Sequence, residues 1–277
     1  MAKEKPILFT AEMVRAIKEG RKTVTRRVIT NIPAYYTIGN KPQSYGPDDY
    51  AFFDRADPVG TYPTLASPHY NVGDLLWAKE PFRILGSVPT ENDYKVHVVY
   101  GRDGCHAWPV LTKKEWDKFI KWKEPRRGKS SLFMFKSLAR DWDEVVSVRA
   151  ERLQDISEAD AIKEGVRTAQ LPRIGTLYHI KDWPCPMAAY TARGAFRNLW
   201  DSINAKPKPI YKTIDGKKQI IGYVSYPWED VQEKREYRGK VWHVIGNPWV
   251  WRYEFKEYLR QGSEEDATRT NNSKVNI

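Results

Sequence analysis

Three side chains that could act together in hydrolytic chemistry lie within residues 20–27: Lys22, Thr25 and Arg27. A threonine hydroxyl attacks a carbonyl carbon only when a neighbouring base removes its proton. A lysine amine can be that base if burial or a nearby cation lowers its pKa well below the usual value. Arg26 and Arg27 could supply the nearby positive charge, and serine–lysine pairs that work in this way occur as variants of the catalytic triad.

The surrounding residues predict a helix followed by a strand. Residues 10–19 predict a short helix, because Thr10 can cap its N-terminus and Gly20 is a typical C-terminal stop. Residues 23–29 are rich in β-branched side chains and predict a strand, with Lys22 at its start. Successive side chains of a strand point to opposite faces. We therefore expect two groups on this strand: Thr23, Thr25 and Arg27 on one face, and Val24, Arg26 and Val28 on the other.

Residues 20–27 resemble the signature of the ASCH domain family, whose members are PUA-like β-barrels. The family pattern is glycine, any residue, lysine, any two residues, an acid or threonine, any residue and arginine. In this chain four residues fill it: Gly20, Lys22, Thr25 and Arg27. Other segments resemble the family, in part its longer phage-type members, and follow in order along the chain: residues 72–77, 152–158, 196–203 and 247–255.

The resemblance implies an activity and a set of catalytic residues. Small bacterial ASCH proteins are amidohydrolases that act on 4-acetylcytidine, which implies metal-independent hydrolysis of an amide on an acylated cytidine-like base. Thr25 would attack, Lys22 would accept its proton, and Glu164, at the end of a helix in residues 156–165, would protonate the leaving amine. We expect four residues to contact the substrate: Arg27, Arg26, Trp77 and Glu80. No cofactor and no metal ion are expected.

Composition favours a basic cytoplasmic protein with a polyanionic partner. The 277 residues are 41% hydrophobic, enough for a substantial core, and carry a net charge of +11. This charge favours nucleic acid, RNA or DNA, over a membrane as the partner. No apolar run is long enough to span a membrane, and the first residues lack the apolar core of a signal peptide. Two distant cysteines, Cys105 and Cys185, fit a reducing cytoplasm, that of the host if the protein is phage-encoded.

The pattern along the chain predicts an α+β fold, a PUA-like (ASCH) mixed β-barrel with flanking helices and long insertions. We expect one domain over residues 1–259 and a disordered tail over 260–277. The predicted insertions are about residues 30–70, 102–140, 167–189 and 205–246, with the first and third irregular. The predicted barrel strands are residues 6–9, 23–29, 74–84, 94–100, 144–153 and 249–258. Asp215-Gly216 predicts a hairpin turn.

Three further helices are predicted after the first one. Residues 112–123 begin with a capping box, Thr112 with Glu115, and the helix ends at Pro125. Ser157 caps a second helix that ends at Gly165. Residues 190–204 predict a third helix with four apolar side chains on one face: Phe196, Leu199, Trp200 and Ile203.

Residues 113–129 combine eight basic and three acidic side chains with aromatic residues. Such a segment can bind nucleic acid, since cations neutralise phosphates and exposed rings stack on bases. The residues predicted to do so are Lys113, Lys114, Lys118, Lys121, Trp122, Arg126 and Arg127. The alternative is a solvated amphipathic helix whose Trp116, Phe119 and Ile120 pack inward.

Other functions stay open at this stage. A PUA-like module can bind RNA or DNA without chemistry, because a fold does not fix a function. Some ASCH relatives cut RNA, so a ribonuclease is a further alternative, and Asp54, Asp57 and Glu80 could then bind a divalent ion. The five histidines show no metal-ligand spacing. The sequence leaves the oligomeric state open.

Overall fold

The structure is a computed structural model that describes residues 2–30, 43–44, 50–52, 64–91, 93–122, 130–180 and 188–259. The fold is α+β, with far more residues in strands than in helices. The helices are α1 (Ala11–Lys18), α2 (Lys113–Phe119), α3 (Glu158–Lys163) and α4 (Ala192–Asn204). Short 3-10 turns cover Ser131–Phe133, Lys136–Leu138 and Leu153–Asp155.

Eighteen strands are present in the described residues. The first nine are β1 (Glu4–Leu8), β2 (Val24–Val28), β3 (Gln43–Ser44), β4 (Tyr50–Phe52), β5 (Thr64–Ala66), β6 (Leu75–Lys79), β7 (Phe82–Pro89), β8 (Tyr94–Tyr100) and β9 (His106–Ala107). The other nine are β10 (Val110–Leu111), β11 (Trp142–Arg152), β12 (Arg167–Leu171), β13 (Gly175–His179), β14 (Lys208–Ile214), β15 (Lys217–Ser225), β16 (Gln232–Tyr237), β17 (Lys240–Ile245) and β18 (Trp249–Glu257).

The contacts between residues divide the chain into two units, each built from separate segments. Unit 1 comprises Met1–Lys18, Val72–Val146 and Phe255–Ile277. Unit 2 comprises Glu19–Asn71 and Ser147–Glu254. The prediction of one domain over residues 1–259 stays a prediction, and the predicted tail 260–277 lies outside the described residues.

Unit 1 contains two sheets and its own core. In the first sheet β6 pairs in parallel with β1 and antiparallel with the start of β11. In the second sheet β8 lies between β7 and β10, with β9 also paired to β8, all antiparallel. Side chains from this second sheet, α2 and residues 134–138 form the core: Phe82, Ile84, Val96, Val98, Tyr100, Leu111, Phe119, Met134 and Leu138.

Unit 2 is built around an antiparallel ladder of β2 and β18. Its core joins this ladder to α3 and α4 through buried apolar side chains: Leu153, Ile156, Ala161, Val166, Ala192, Ala195, Phe196, Trp200, Trp228 and Val250. The unit also contains the hairpin β12–β13, the sheet β14-β15-β17-β16 and the small sheet β3-β4-β5.

Local signals in the sequence predicted several of these elements well. Both halves of the capping box at Thr112 form, and the Ser157 hydroxyl accepts a hydrogen bond from the Asp160 amide. Asp215 and Gly216 adopt φ angles of 49° and 72° in the hairpin between β14 and β15. Both angles are the left-handed values that a type I′ turn requires.

Other predictions were wrong about the bounds of a strand, about segments expected to be irregular, and about the burial of one side chain. Residues 74–84 form two strands, β6 and β7, separated by Glu80 and Pro81, because proline has no amide proton for a ladder. The segment 167–189 is not irregular throughout, since residues 167–179 form a hairpin. The described parts of residues 30–70 include β3, β4 and β5. Ile203, expected on the buried face of α4, is 44% exposed.

The described strands of neither unit close into a barrel. The mixture of many strands and few helices confirms the α+β class predicted from the sequence. The PUA-like barrel stays a proposal. Among the described residues no helix combines the length and the hydropathy that a membrane span would require.

Candidate functional site

The β2–β18 ladder of unit 2 separates the predicted site residues by face. Three of its five residue pairs involve the predicted site residues: Thr25 with Tyr253, Arg26 with Arg252, and Arg27 with Trp251. Residues directly opposite in an antiparallel pair share a face, and successive residues alternate. The ladder therefore has a cavity face, with Thr25, Arg27, Trp251 and Tyr253, and an ion-pair face, with Arg26 and Arg252.

Lys22 and Glu164 are held together next to this ladder. They form an isolated antiparallel β-bridge, with Glu164 as the C-cap of α3. The Lys22 ammonium donates to the Glu164 carboxylate Oε2 at 2.6 Å, to the Glu164 carbonyl at 3.2 Å and to the Val24 carbonyl at 2.8 Å. Lys22 is 2% exposed, and its three N–H donors all have acceptors. The structure thus joins two of the three predicted catalytic side chains.

Arg26 was predicted to contact substrate, but its guanidinium is occupied by carboxylates on the ion-pair face. It donates to Glu164 Oε1 at 3.0 Å, to Glu151 Oε1 at 2.7 Å and to Asp160 Oδ2 at 3.0 Å. Its side chain is fully buried. A buried arginine needs such partners, because desolvating a charge is costly without them. Arg26 therefore orients Glu164, with Lys22 on the other carboxylate oxygen.

Asp160 links Arg26 to Arg252, the residue opposite it in the ladder. Its two carboxylate oxygens accept hydrogen bonds from Arg252 at 3.1 and 3.2 Å. Burial by itself would raise the pKa of Asp160, but the hydrogen bonds and charges of Arg252 and Arg26 outweigh it and lower the pKa. Asp160 is thus held as the anion.

The pKa of Lys22 is lowered, as a lysine base requires, and burial is the main cause. The Glu164 carboxylate acts in the opposite direction, and the positive charges of Arg27 and Arg26 lower the pKa further. The ammonium nevertheless uses its donors on Glu164 and Val24 in this conformation. A proton transfer within the Lys22–Glu164 pair would produce a neutral amine and a neutral acid.

A cavity of about 490 Å³ opens on the other face of the ladder. It is lined by Arg27, Val28, Ile29, Thr30, Ser67, Pro68, His69, Tyr70, Trp251 and Tyr253. The Tyr253 hydroxyl accepts a hydrogen bond from the His69 amide at 3.1 Å, and the Tyr70 and Tyr253 rings meet edge to face at 5.1 Å. Burial raises the pKa of both phenols, so both stay neutral near pH 7.

Thr25 lies on the cavity face and is not hydrogen-bonded to Lys22, the predicted base. Its side chain is buried beside Tyr253 in the ladder. Among the described residues its hydroxyl makes no hydrogen bond to Lys22 or Glu164, whose polar contacts are on the ion-pair side. Arg27, in contrast, lines the cavity, and burial lowers the pKa of its guanidinium, which stays charged at neutral pH.

Trp77 and Glu80, the other two predicted substrate contacts, belong to unit 1. Arg140 donates to both carboxylate oxygens of Glu80 at 2.7 and 3.0 Å. Trp77 is buried in β6 with the Lys79 ammonium 5.2 Å from its ring centre. Neither lines the cavity described above. Their role toward a substrate stays a prediction.

The predicted nucleic-acid-binding segment is only partly described. The lysines are exposed, as the prediction requires: Lys113, Lys114, Lys118 and Lys121. Trp122 instead stacks on Phe135 at 5.1 Å and contacts Phe82 and Phe119. Arg126 and Arg127 lie outside the described residues. The expected inward packing holds for Trp116 and Phe119, whereas Ile120 is exposed.

The described residues contain no group of three or more histidine, cysteine, aspartate or glutamate side chains that could hold a metal ion. Asp54 and Asp57 lie outside the described residues, and Glu80 has Arg140 as its partner. The ribonuclease alternative stays a hypothesis.

In comparisons with known proteins, no family model, no curated protein and no solved structure matches this chain. The resemblance to ASCH proteins therefore depends on the motif residues alone.

The sequence analysis did not identify the residues that β18 and α3 contribute to the site. Asp160 lies within the helix predicted in residues 156–165, and Trp251, Arg252 and Tyr253 lie within the strand predicted for residues 249–258, but the sequence does not mark any of them as a site residue. One signal was available, because Arg252 interrupts an otherwise aromatic and aliphatic run, Trp249–Tyr253, in β18. A charged residue inside an apolar strand requires a buried partner.

Proposed function

We propose that the protein binds a nucleobase, in a free modified nucleoside or within RNA or DNA, in the cavity of unit 2. The observation that carries this proposal is the lining, which combines the rings of Tyr70, Trp251 and Tyr253 with the Arg27 guanidinium. Aromatic rings and guanidinium planes stack on bases and hydrogen-bond to their edges. The volume also lies within the range of roughly 300–1,000 Å³ that is usual for small-molecule sites.

The polar groups of the cavity suit a planar ligand whose edges carry hydrogen-bond acceptors. The two phenols are uncharged, and Arg27 is a planar donor. Among the described residues, none of those that line the cavity has a carboxylate. Base edges that carry carbonyl and ring-nitrogen acceptors would therefore find donors here, as direct recognition of a base requires.

Calorimetric titration with a panel of nucleosides, including cytidine and its N4-acetyl form, and with short RNA and DNA tests the proposal. Arg27→Lys keeps the charge and loses the planar fork, so we expect affinity to fall by about tenfold. His69→Ala removes a ring at the cavity and should weaken binding several-fold. His243→Ala in β17, which does not line the cavity, is the matched control. The proposal fails if no member of the panel binds.

Hydrolysis of an amide on such a base is a second candidate, favoured by the Lys22–Glu164 contact at 2.6 Å. In this reaction the Lys22 proton first moves to Glu164. The Lys22 amine then accepts the Thr25 hydroxyl proton while the Thr25 oxygen bonds to the amide carbon. Glu164 donates its proton to the departing base nitrogen, and water later releases the acyl group from Thr25. The reaction requires the Thr25 hydroxyl to approach the Lys22 amine.

Mass spectrometry of acylated nucleosides incubated with the protein tests this second candidate. Thr25→Val retains the shape of the side chain and removes the hydroxyl, so turnover should fall by about 100-fold or more while binding persists. Thr23→Val is the matched control, as the neighbouring threonine that no mechanism uses. Equal turnover by both variants, or by Lys22→Ala and the wild type, would contradict hydrolysis and leave the binding proposal standing.

A further inference from the structure

The second sheet of unit 1 has one buried face and one outward face. Val96, Val98 and Tyr100 of β8 are buried in the core, so the residues between them point outward. Strands β9 and β10 both pair with the edge of β8 opposite to β7, and they extend the outward face. The side chains on it that matter here are Arg83, Lys95, His97, His106, Trp108 and Val110.

Trp108 is a rigidly held but accessible ring on this face. It stacks on His97 with ring centres 4.3 Å apart and planes 10° apart. His97 Nε2 in turn lies 2.8 Å from His106 Nδ1, which fixes the ring below Trp108. Trp108 is nevertheless 50% exposed. An indole fixed in this way is a platform on which an unpaired base can stack at a low cost in side-chain entropy.

The two residues of these strands that carry a full charge, Lys95 and Arg83, are both positive. Exposed Lys95 lies opposite Val110 in the ladder, and exposed Arg83 lies opposite Val99. The outward-pointing residues of β7, β8, β9 and β10 include no carboxylate. Cations beside an exposed aromatic ring on a sheet are the arrangement with which RNA-binding sheets and OB-folds hold single strands.

Helix α2 lies on the other, buried face of this sheet, where Phe119 joins the core and Trp116 stacks on Tyr94 at 5.3 Å. The exposed lysines of this helix, Lys113, Lys114 and Lys118, are therefore not part of the outward face.

We propose that this outward face of unit 1 binds single-stranded nucleic acid. Trp108 stacks on a base, and Arg83 and Lys95 contact phosphates. The site is separate from the cavity of unit 2 and does not depend on its function. In this proposal the stacking residue is Trp108. Trp122, which the sequence suggested for this role, packs against Phe135.

Fluorescence anisotropy of the full chain with oligonucleotides of about 12 residues, one RNA and one DNA, tests the proposal. Trp108→Ala should weaken binding by about 5- to 150-fold, the range for loss of one stacked base. Trp108→Phe keeps a ring and should restore most of the affinity. Lys95→Gln and Arg83→Gln should each remove one phosphate contact. We therefore expect each to reduce the magnitude of the slope of log K against log salt concentration by about 0.7.

Tyr190→Ala is the matched control, because Tyr190 is an exposed aromatic residue in unit 2. It should leave the affinity within about twofold of the wild type. Binding of RNA, DNA or both that Trp108→Ala weakens and Trp108→Phe restores supports the proposal and identifies the polymer. No binding at low salt, or equal binding by the wild type and Trp108→Ala, overturns it. The Gln variants decide the matter if Trp108→Ala does not fold.

Discussion

The two faces of the β2–β18 ladder in unit 2 place neighbouring arginines in opposite environments. The ion-pair face buries Arg26 and Arg252, and every charge on it has a partner within 3.2 Å. The cavity face, one residue away along each strand, keeps Arg27 beside aromatic rings and an opening. The alternation of a strand therefore places a buried ion-pair network on one face of the ladder and a potential ligand site on the other.

This difference indicates where a change in sequence should affect stability and where it should affect binding. Charges on the ion-pair face are desolvated, so losing one partner leaves another charge buried without compensation. The cavity face has neutral phenols and an opening, so its residues can exchange protein contacts for ligand contacts. Stability measurements on single variants can distinguish the two cases.

The largest expected effect follows from Arg26→Met, which would leave Glu151, Asp160 and Glu164 without their common partner. We expect the free energy of unfolding to fall by about 3–5 kcal/mol, measured by urea titration. Arg149→Met is the matched control, because Arg149 bonds Glu151 and Asp160 from a half-exposed position. It should cost less than about 1 kcal/mol. Similar losses in both variants would contradict the division between the faces.

Asp143 in unit 1 shows what burial does to a carboxyl group without arginine partners. Its Oδ2 has no hydrogen-bond partner, and burial, followed by the charge of Asp141, raises its pKa from 3.8 to about 7. The folded state therefore takes up a proton that the unfolded state lacks between these values. Stability should fall as pH rises from about 4 to about 7.

Asp143→Asn should remove this pH dependence. At pH 8 we expect the variant to be more stable than the wild type by on the order of 2–4 kcal/mol, whereas at pH 4 the two should be similar. Urea unfolding at the two pH values provides the measurement. A variant that is less stable than the wild type at pH 8 would show that the charged carboxylate has partners in solution.

Tyr253→Phe tests the cavity face by removing a hydroxyl and no charge. The His69 amide loses its acceptor, so we expect a loss of about 1–2 kcal/mol in the free energy of unfolding. Tyr237→Phe in β16 is the control and should change it by less than about 0.5 kcal/mol. A loss as large as that of Arg26→Met would mean that the cavity face is as tightly coupled to the fold as the ion-pair face.

The smallest effect is expected for Asp160→Asn under acidic conditions. Because the pKa of Asp160 is lowered below 3.8, its contribution is complete above that value and is lost as pH falls through the folded pKa. The wild type should therefore lose more stability than the variant between pH 5 and pH 2, by urea unfolding. Parallel curves over this interval would show that Asp160 is not stabilised as the anion.

Much of the local structure could be predicted because its causes lie within a few residues. The capping box at Thr112, the cap at Ser157 and the turn at Asp215-Gly216 each follow from one side chain or one backbone preference. The alternation that separates Thr25 from Arg26 is of the same kind, since it follows from the period of a strand.

The partners across the site could not be predicted in the same way. The pairing of Arg26 with Arg252 over Asp160 joins residues more than 90 positions apart, and no local rule sets that register. Tyr70 and His69 come from a segment predicted as irregular, yet they line the cavity. Pairing over such distances is decided by packing of the whole unit.

The sequence by itself determined which residue types were present, the alternation of β2, and the caps and turns, because these depend on chemistry along a short stretch of backbone. Only the tertiary structure decided that Lys22 meets Glu164 and Arg26 on one face while Arg27 meets Tyr70 and Tyr253 on the other. A side chain's burial and partners depend on which distant segments pack against it, and that choice belongs to the folded chain as a whole.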